Sequence, residues 1–318
     1  MAVSTFFHSC KEVLRRRLRG QRRRKSWSFL YELVIEQMRN AFLLEGAPPL
    51  DEQRKSFDGL SKLAIGRRKV KLEDIDFNGV TGLWLKPVSK VQPGIILYLH
   101  GGGYVIGSTQ SCFPVMLGLA RATGFMVLGC NYRKGPEDPC PAAIDDVLTV
   151  YQQLLTEYDS EQIVLAGDSA GGGLAVASMV AAKDEGLPLP HKMILLSPWT
   201  DLTNHTKAAK EVSSYDHIFP SQLLEWSDAY AGTLSKDDPR VSPLFADLSG
   251  LPPMLILTGE LELFIDENIL FAQRARAAGV QVTHHIEKDE IHDYIFFSLV
   301  SPRGRKAFQM IRDYLLQG

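Results

Sequence analysis

Residues 162–173 read QIVLAGDSAGGG. Gln162–Ala166 is apolar and branched, as a buried strand requires, and Gly171–Glu185 continues as a helix of small residues. Between them, Gly167-Asp168-Ser169-Ala170-Gly171 fits G-x-S-x-G in the strand–turn–helix setting that gives the pattern meaning. Such a turn lifts the Ser169 hydroxyl above the edge of a sheet. The small residues at 167, 170 and 171 let strand and helix pass closely, and the helix N-terminus favours negative charge beside the serine. The stretch predicts a serine nucleophile, with Asp168 as a structural residue of the turn.

Outward from this turn, strand and helix alternate. Pro141–Tyr158 reads as helix, Lys192–Ser197 and Met254–Thr258 as strands, Glu267–Gly279 as helix, Val280–Glu287 as strand and Pro302–Leu316 as helix. Upstream, Val80–Val88, Gly94–Leu99 and Phe125–Cys130 are strands punctuated by Asn78-Gly79 and Gln92-Pro93-Gly94. Residues 26–65 follow a helical period, broken at Pro48-Pro49 and Gly59. The pattern predicts an α/β chain with a mostly parallel sheet covered on both faces. Residues 201–240 interrupt the alternation with polar, aromatic and helix-like text, expected to lie over the mouth of the sheet.

The strand Gly94–Leu99 runs into His100-Gly101-Gly102-Gly103. Glycines there serve either to cradle a phosphate or to aim bare N–H groups at a developing oxyanion. Neither G-x-x-x-x-G-K-[ST] nor G-x-G-x-x-G occurs, so the second use is favoured. The N–H groups of Gly102, Gly103 and Ala170 are the expected oxyanion donors. Gly101 completes the loop, and His100 holds it by hydrogen bonding and is not the base.

A nucleophilic serine needs a base and an orienting acid, in the chain order serine, acid, histidine. Of eight histidines, only His284, His285 and His292 follow the strand Met254–Thr258. The first two fall in the strand text VTHHIE; His292 lies in the polar loop after it and is the expected base. The acid stays open among Glu260, Glu262, Asp266 and Glu267, all in the loop GELELFIDEN. No H-x-x-x-H pair or Cys/His cluster has ligand spacing, so no metal is expected.

Five stretches carry a family resemblance: HGGG at 100–103, YRKGPEDPCPAAIDD at 132–146, GDSAGG at 167–172, SPWTDL at 197–202 and SPLFADLSGLPP at 242–253. Together they resemble the hormone-sensitive lipase-like branch of the α/β-hydrolases, over roughly residues 70–318. The resemblance implies an acid opening a D/E-x-L-x-D motif. Glu262-Leu263-Phe264-Ile265-Asp266 matches, with Phe264 in the leucine place, which puts Glu262 in the acid position and makes Asp266 structural. It implies a core at 67–200 and 241–318, capped by a helical N-terminal part, 1–66, and by the insertion 201–240. It also implies a serine carboxylesterase acting on short- to medium-chain esters or lactones without a cofactor. An amidase with the same triad, and a receptor of this fold that has lost its histidine, are the alternatives; the presence of His292 weighs against the receptor.

Composition bounds the rest. Of 318 residues, 45% are hydrophobic and 23% charged, ordinary for a globular chain. Nine of the Lys/Arg residues lie in 11–25, with one Glu, whereas the whole chain carries −2, so the body is acidic and no nucleic-acid partner is expected. The basic segment is expected to be an amphipathic helix packed on the body by its Leu/Val face. Weak contact with an anionic membrane surface and mitochondrial targeting are the competing readings. Four cysteines without zinc or disulfide spacing, and no apolar signal-peptide region, predict a cytoplasmic chain. No apolar run approaches the roughly 18 residues of a membrane span. A homodimer pairing through residues 280–287 is a further expectation.

Overall fold

The structure is a computed structural model that describes residues 2–42, 48–89, 91–203 and 214–316. Strands β1 (Val70–Phe77), β2 (Val80–Pro87), β3 (Ile95–Leu99), β4 (Met126–Cys130), β5 (Ile163–Asp168), β6 (Lys192–Leu196), β7 (Met254–Gly259) and β8 (Val282–Glu287) form one sheet, ordered β1-β2-β4-β3-β5-β6-β7-β8. The first two pairings are antiparallel; from β4 to β8 every pairing is parallel.

Every residue of β3, β5 and β7 is buried, because both faces of the sheet are covered. Alternate side chains go to opposite faces. Leu97, Leu165, Leu195 and Ile256 join one core with helices α5 (Ala142–Leu155), α6 (Ala170–Asp184) and α8 (Ile265–Ala277). Tyr98, Val164, Ile194 and Leu255 join a second core with α4 (Phe113–Thr123) and α9 (Pro302–Leu316). Helix α4 had no counterpart in the periodicity reading, nor did β1, whose sequence VKLEDIDF alternates but is rich in charge.

Among the described residues three α-helices precede the sheet: α1 (Ala2–Leu18), α2 (Phe29–Phe42) and α3 (Leu50–Asp58). The basic segment does pack on the body, but through Val13, which is fully buried, while Leu14 and Leu18 remain exposed. Its charges are partly matched: Arg16 and Arg23 pair with Glu36 at 2.5 and 2.9 Å, and Arg17 with the buried Glu32 at 2.8 Å. Of the insertion, α7 (Pro220–Ala231) is helical, whereas 204–213, with His205, lies outside the described residues, as does Leu43 of the N-terminal helical pattern.

Candidate active site

Ser169 sits between the end of β5 and the start of α6, at φ 51° and ψ −121°. A positive φ costs a non-glycine residue energy that its surroundings must hold. Here Ser169 N–H donates to Leu196 O at 2.8 Å, and its carbonyl accepts from Trp199 N–H at 2.9 Å, which ties the turn to the end of β6. Behind the serine, a Cβ on Gly171 would come within 2.1 Å of Leu99 O, so only glycine lets α6 cross there.

The glycine loop lies beside it. Gly102 and Gly103 have φ of 116° and 60°, and their N–H groups meet no acceptor among the described residues. Ala170 opens α6, so its N–H is one of those that no intrahelical carbonyl satisfies. His100 is buried and stacked on Tyr132 at 4.2 Å, and its Nδ1–H donates to Gly101 O at 2.8 Å. Burial, with the charge of Lys134, pushes its pKa down to about 3, so the ring is neutral and structural. Gly101 N–H and Tyr98 O–H (2.7 Å) both donate to Asp168, whose carboxyl burial and the neighbouring Asp293 push up to about 8. From the cap, Trp226 of α7 closes over the loop; a Cβ on Gly103 would lie 1.9 Å from its ring.

Glu262 follows β7 and is fully buried. Its carboxylate accepts from Ser197 Oγ (2.6 Å), Gly259 N–H (2.8 Å) and Asn268 Nδ2 (3.0 Å). Burial pushes it up to about 8 against the pull of His292 and these donors. All three partners donate and so favour the ionised form, but burial outweighs them. Of the other acids in this loop, Glu260 accepts from Asp289 N–H, and buried Glu267 accepts from Thr200 N–H at 2.6 Å, pinning the SPWTDL segment. Of these four acids, Glu262 is the one whose charge bears on His292.

That loop is sewn to the acid loop by Leu261 N–H on Glu290 O (2.8 Å) and Glu260 N–H on Glu287 O (3.0 Å). His292 is 2% exposed, edge-on to Phe264 at 5.0 Å. The expected hydrogen bond from Nδ1 to Glu262 is not formed. Nδ1 has no partner among the described residues, and Nε2 lies 3.1 Å from Asp293 Oδ2. Asp293 can reach back because its backbone is left-handed, φ 52°, and its N–H is held by Ser197 Oγ at 3.1 Å. Burial opposes charge on His292, but Asp293, then Glu262 and Asp216, outweigh it and push the imidazole up to about 10. His284 and His285 stay in β8, bonded to Thr258 and Glu287, both at 2.9 Å.

Sequence reasoning missed four contributors. Ser197 joins Glu262 to the Asp293 backbone; its signal was the SPWTDL stretch, already noted for another reason. Asp293 is a loop residue beside His292 that no motif in the sequence marks. Asp216 and His217 come from the cap, with His217 ring 5.9 Å from His292 and 3.3 Å from Asp216 Oδ1, and nothing local in the sequence marks them. Ser169, His292 and Asp293 all line one largely apolar cavity of about 980 Å³, roofed by α2 and α7.

The profile of the α/β hydrolase fold family matches residues 96–296. An acetyl-hydrolase of Streptomyces hygroscopicus is 36% identical over 241 residues, 74% of this chain and 79% of its own length. An esterase of Acinetobacter venetianus is 31% identical over 293 residues, 91% of this chain and 96% of its own. The crystal structure of an esterase from the bacterial hormone-sensitive lipase family superposes with a TM-score of 0.85 at 34% identity, covering 89% of this chain and 95% of that one. With the sheet order and the elbow at Ser169, these likenesses make the chain a member of the α/β-hydrolase family, in its hormone-sensitive lipase-like branch.

Proposed function

We propose that this chain is a serine carboxylesterase. Ser169 Oγ attacks the ester carbonyl carbon as His292 takes its proton, and the N–H groups of Gly102, Gly103 and Ala170 hold the oxyanion. The tetrahedral intermediate collapses, the alcohol leaves with the proton from His292, and a water repeats the sequence on the acyl-enzyme. Glu262 balances the imidazolium and sets its orientation. The reaction requires Nε2 to exchange Asp293 Oδ2 for Ser169 Oγ.

The observation that carries this reading is the left-handed turn at Ser169, facing the same cavity as His292, with unengaged N–H groups on the glycine loop beside it. Esters of short to medium acyl chains are the substrates proposed. A cavity of about 980 Å³ far exceeds an acetyl group, which favours the longer members of that range.

Covalent labelling by an organophosphonate, with turnover of p-nitrophenyl acetate, hexanoate and dodecanoate beside an anilide, tests it. Ser169→Ala should lose the label and several orders of magnitude in turnover. A label retained in that variant would put the nucleophile elsewhere, and preferential cleavage of the anilide would make the chain an amidase.

Two further expectations have support. Among the described strands β8 leaves its outer edge unpaired, which favours a homodimer through residues 280–287. All four cysteines are free thiols, which favours a reducing, cytoplasmic setting, and no helix among the described residues is long and apolar enough to cross a membrane.

A further inference from the structure

The catalytic cavity opens through a rim that is both apolar and basic. Phe6 of α1, Leu30 of α2, Ile65 ahead of β1 and Leu299 ahead of α9 line it, yet are 47, 53, 68 and 52% exposed. Scattered exposed apolar side chains mean nothing; several around one opening mark a docking face. Lys69, Arg121 and Arg305 line the same cavity, and none meets a carboxylate among the described residues. Arg121 and Arg305 donate instead to the carbonyls of Ile65 and Ser298, at 3.0 and 2.9 Å, which fixes both guanidinium stems at the rim. Among the described residues, the only carboxyls lining the cavity, Asp168 and Asp293, belong to its catalytic end.

We propose that this face seats on an anionic lipid surface, so that the apolar mouth meets the bilayer and a lipid-soluble ester enters the cavity without crossing water. Exposed Phe, Leu and Ile side chains gain by leaving water for the headgroup boundary, and unpaired Lys and Arg gain from the negative surface potential. The site differs from the basic run at 11–25, where Arg16, Arg17 and Arg23 already spend charge on Glu32 and Glu36. The fate of the ester rests on the esterase reading; the docking does not.

The test is vesicle flotation of the full chain carrying Ser169→Ala, which scores binding without chemistry and so separates this proposal from the esterase reading. The vesicles are pure phosphatidylcholine, or the same with about one-third phosphatidylglycerol, at low and physiological salt. Binding should be at least about tenfold tighter to the anionic vesicles and should weaken with salt. Arg121→Glu/Arg305→Glu should lower it roughly tenfold or more, and Ile65→Ser/Leu299→Ser should lower it on the same vesicles while leaving the salt dependence in place. Melting temperatures confirm that each variant folds. Failure to bind anionic vesicles would overturn the proposal. So would an equal loss in Arg274→Glu/Arg276→Glu, whose arginines lie on α8 and do not line the cavity.

Discussion

His292 Nε2 rests 3.1 Å from Asp293 Oδ2, the carboxylate of its own chain neighbour, a contact that raises the proton affinity of the base proposed above. A base must be neutral to act, and Asp293 leads the charges holding the proton on His292 up to about 10. Glu262, Asp216 and His217 also face the ring. Asp293→Asn should therefore move the acid limb of kcat/KM downward by roughly one to two pH units and raise activity at neutral pH. Unchanged limbs in the two proteins would mean that Asp293 does not control the base.

The same groups govern stability. His292, Glu262 and Asp168 all have folded-state pKa values above their unfolded ones, at about 10, 8 and 8. Raised values mean that the folded state holds the extra protons, so each contribution is complete below the unfolded pKa and is lost as pH climbs through the folded one. Above about pH 7, where the lowered His100 and His284 are neutral in both states, thermal unfolding should thus show the melting temperature falling up to about pH 10. A rise over that window would contradict the protonation scheme.

Glu262→Gln should reduce turnover about ten-thousand-fold, the usual cost of losing the orienting carboxylate. Glu260→Gln, which alters only a surface contact to Asp289 N–H, should stay near the parent rate. Glu262→Asp should keep partial activity, since its shorter arm must still reach the donors Ser197 and Asn268. Should Asp293→Asn prove the dead variant and Glu262→Gln active, the two acids have exchanged roles.

Gly103→Ala forces a methyl into the ring of Trp226 and strains a residue at φ 60°. Either the cap lifts or the loop moves, and in both cases an oxyanion donor shifts. The expected loss in kcat is about 10²- to 10³-fold, with KM changed little. A variant with intact kcat would remove Gly103 from the oxyanion site.

Helix α2 and Trp27 just ahead of it pack on the loop that carries His292. Trp27 packs with Tyr31 against Leu261 and Ile291, and its Nε1–H donates to Asp289 O at 2.7 Å; Tyr31 O–H donates to Glu290. Trp27→Ala should cost about 3–5 kcal/mol by chemical denaturation. Trp27→Phe, which keeps most of the packing, should cost less but still lower kcat. Equal kcat in Trp27→Phe and the parent would show that this anchor does not steady the loop.

What the sequence made legible was what depends on neighbours along the chain. The elbow needs only a strand, five small or turn-forming residues and a helix, so Ser169 could be read directly. His292 stood out as the histidine in a loop after the last strand. Helix α4 escaped because it is apolar almost all round, burying seven of its side chains against the sheet, and so has no polar face to give it a period. Asp293, Ser197, Asp216 and His217 escaped for another reason. Their parts in the site arise where loops from separate strands and the cap converge, and spacing along one chain does not encode that meeting.

Sheet order has a consequence for a chain still being made. The elbow strand β5 is central, but the base follows β8, the edge strand and the last of the eight to be synthesised. Until β8 pairs with β7, the acid loop has no Glu290 or Glu287 carbonyl to hold it. A nascent chain therefore carries Ser169 without its proposed base while the 123 residues up to His292 are made. Chains stalled on the ribosome before β8 should take no phosphonate label, and labelling should appear only once the C-terminal helix has emerged. Esterase activity would then report that synthesis has passed the helix Pro302–Leu316, and hydrolysis at earlier stages would be excluded by the order of the strands alone.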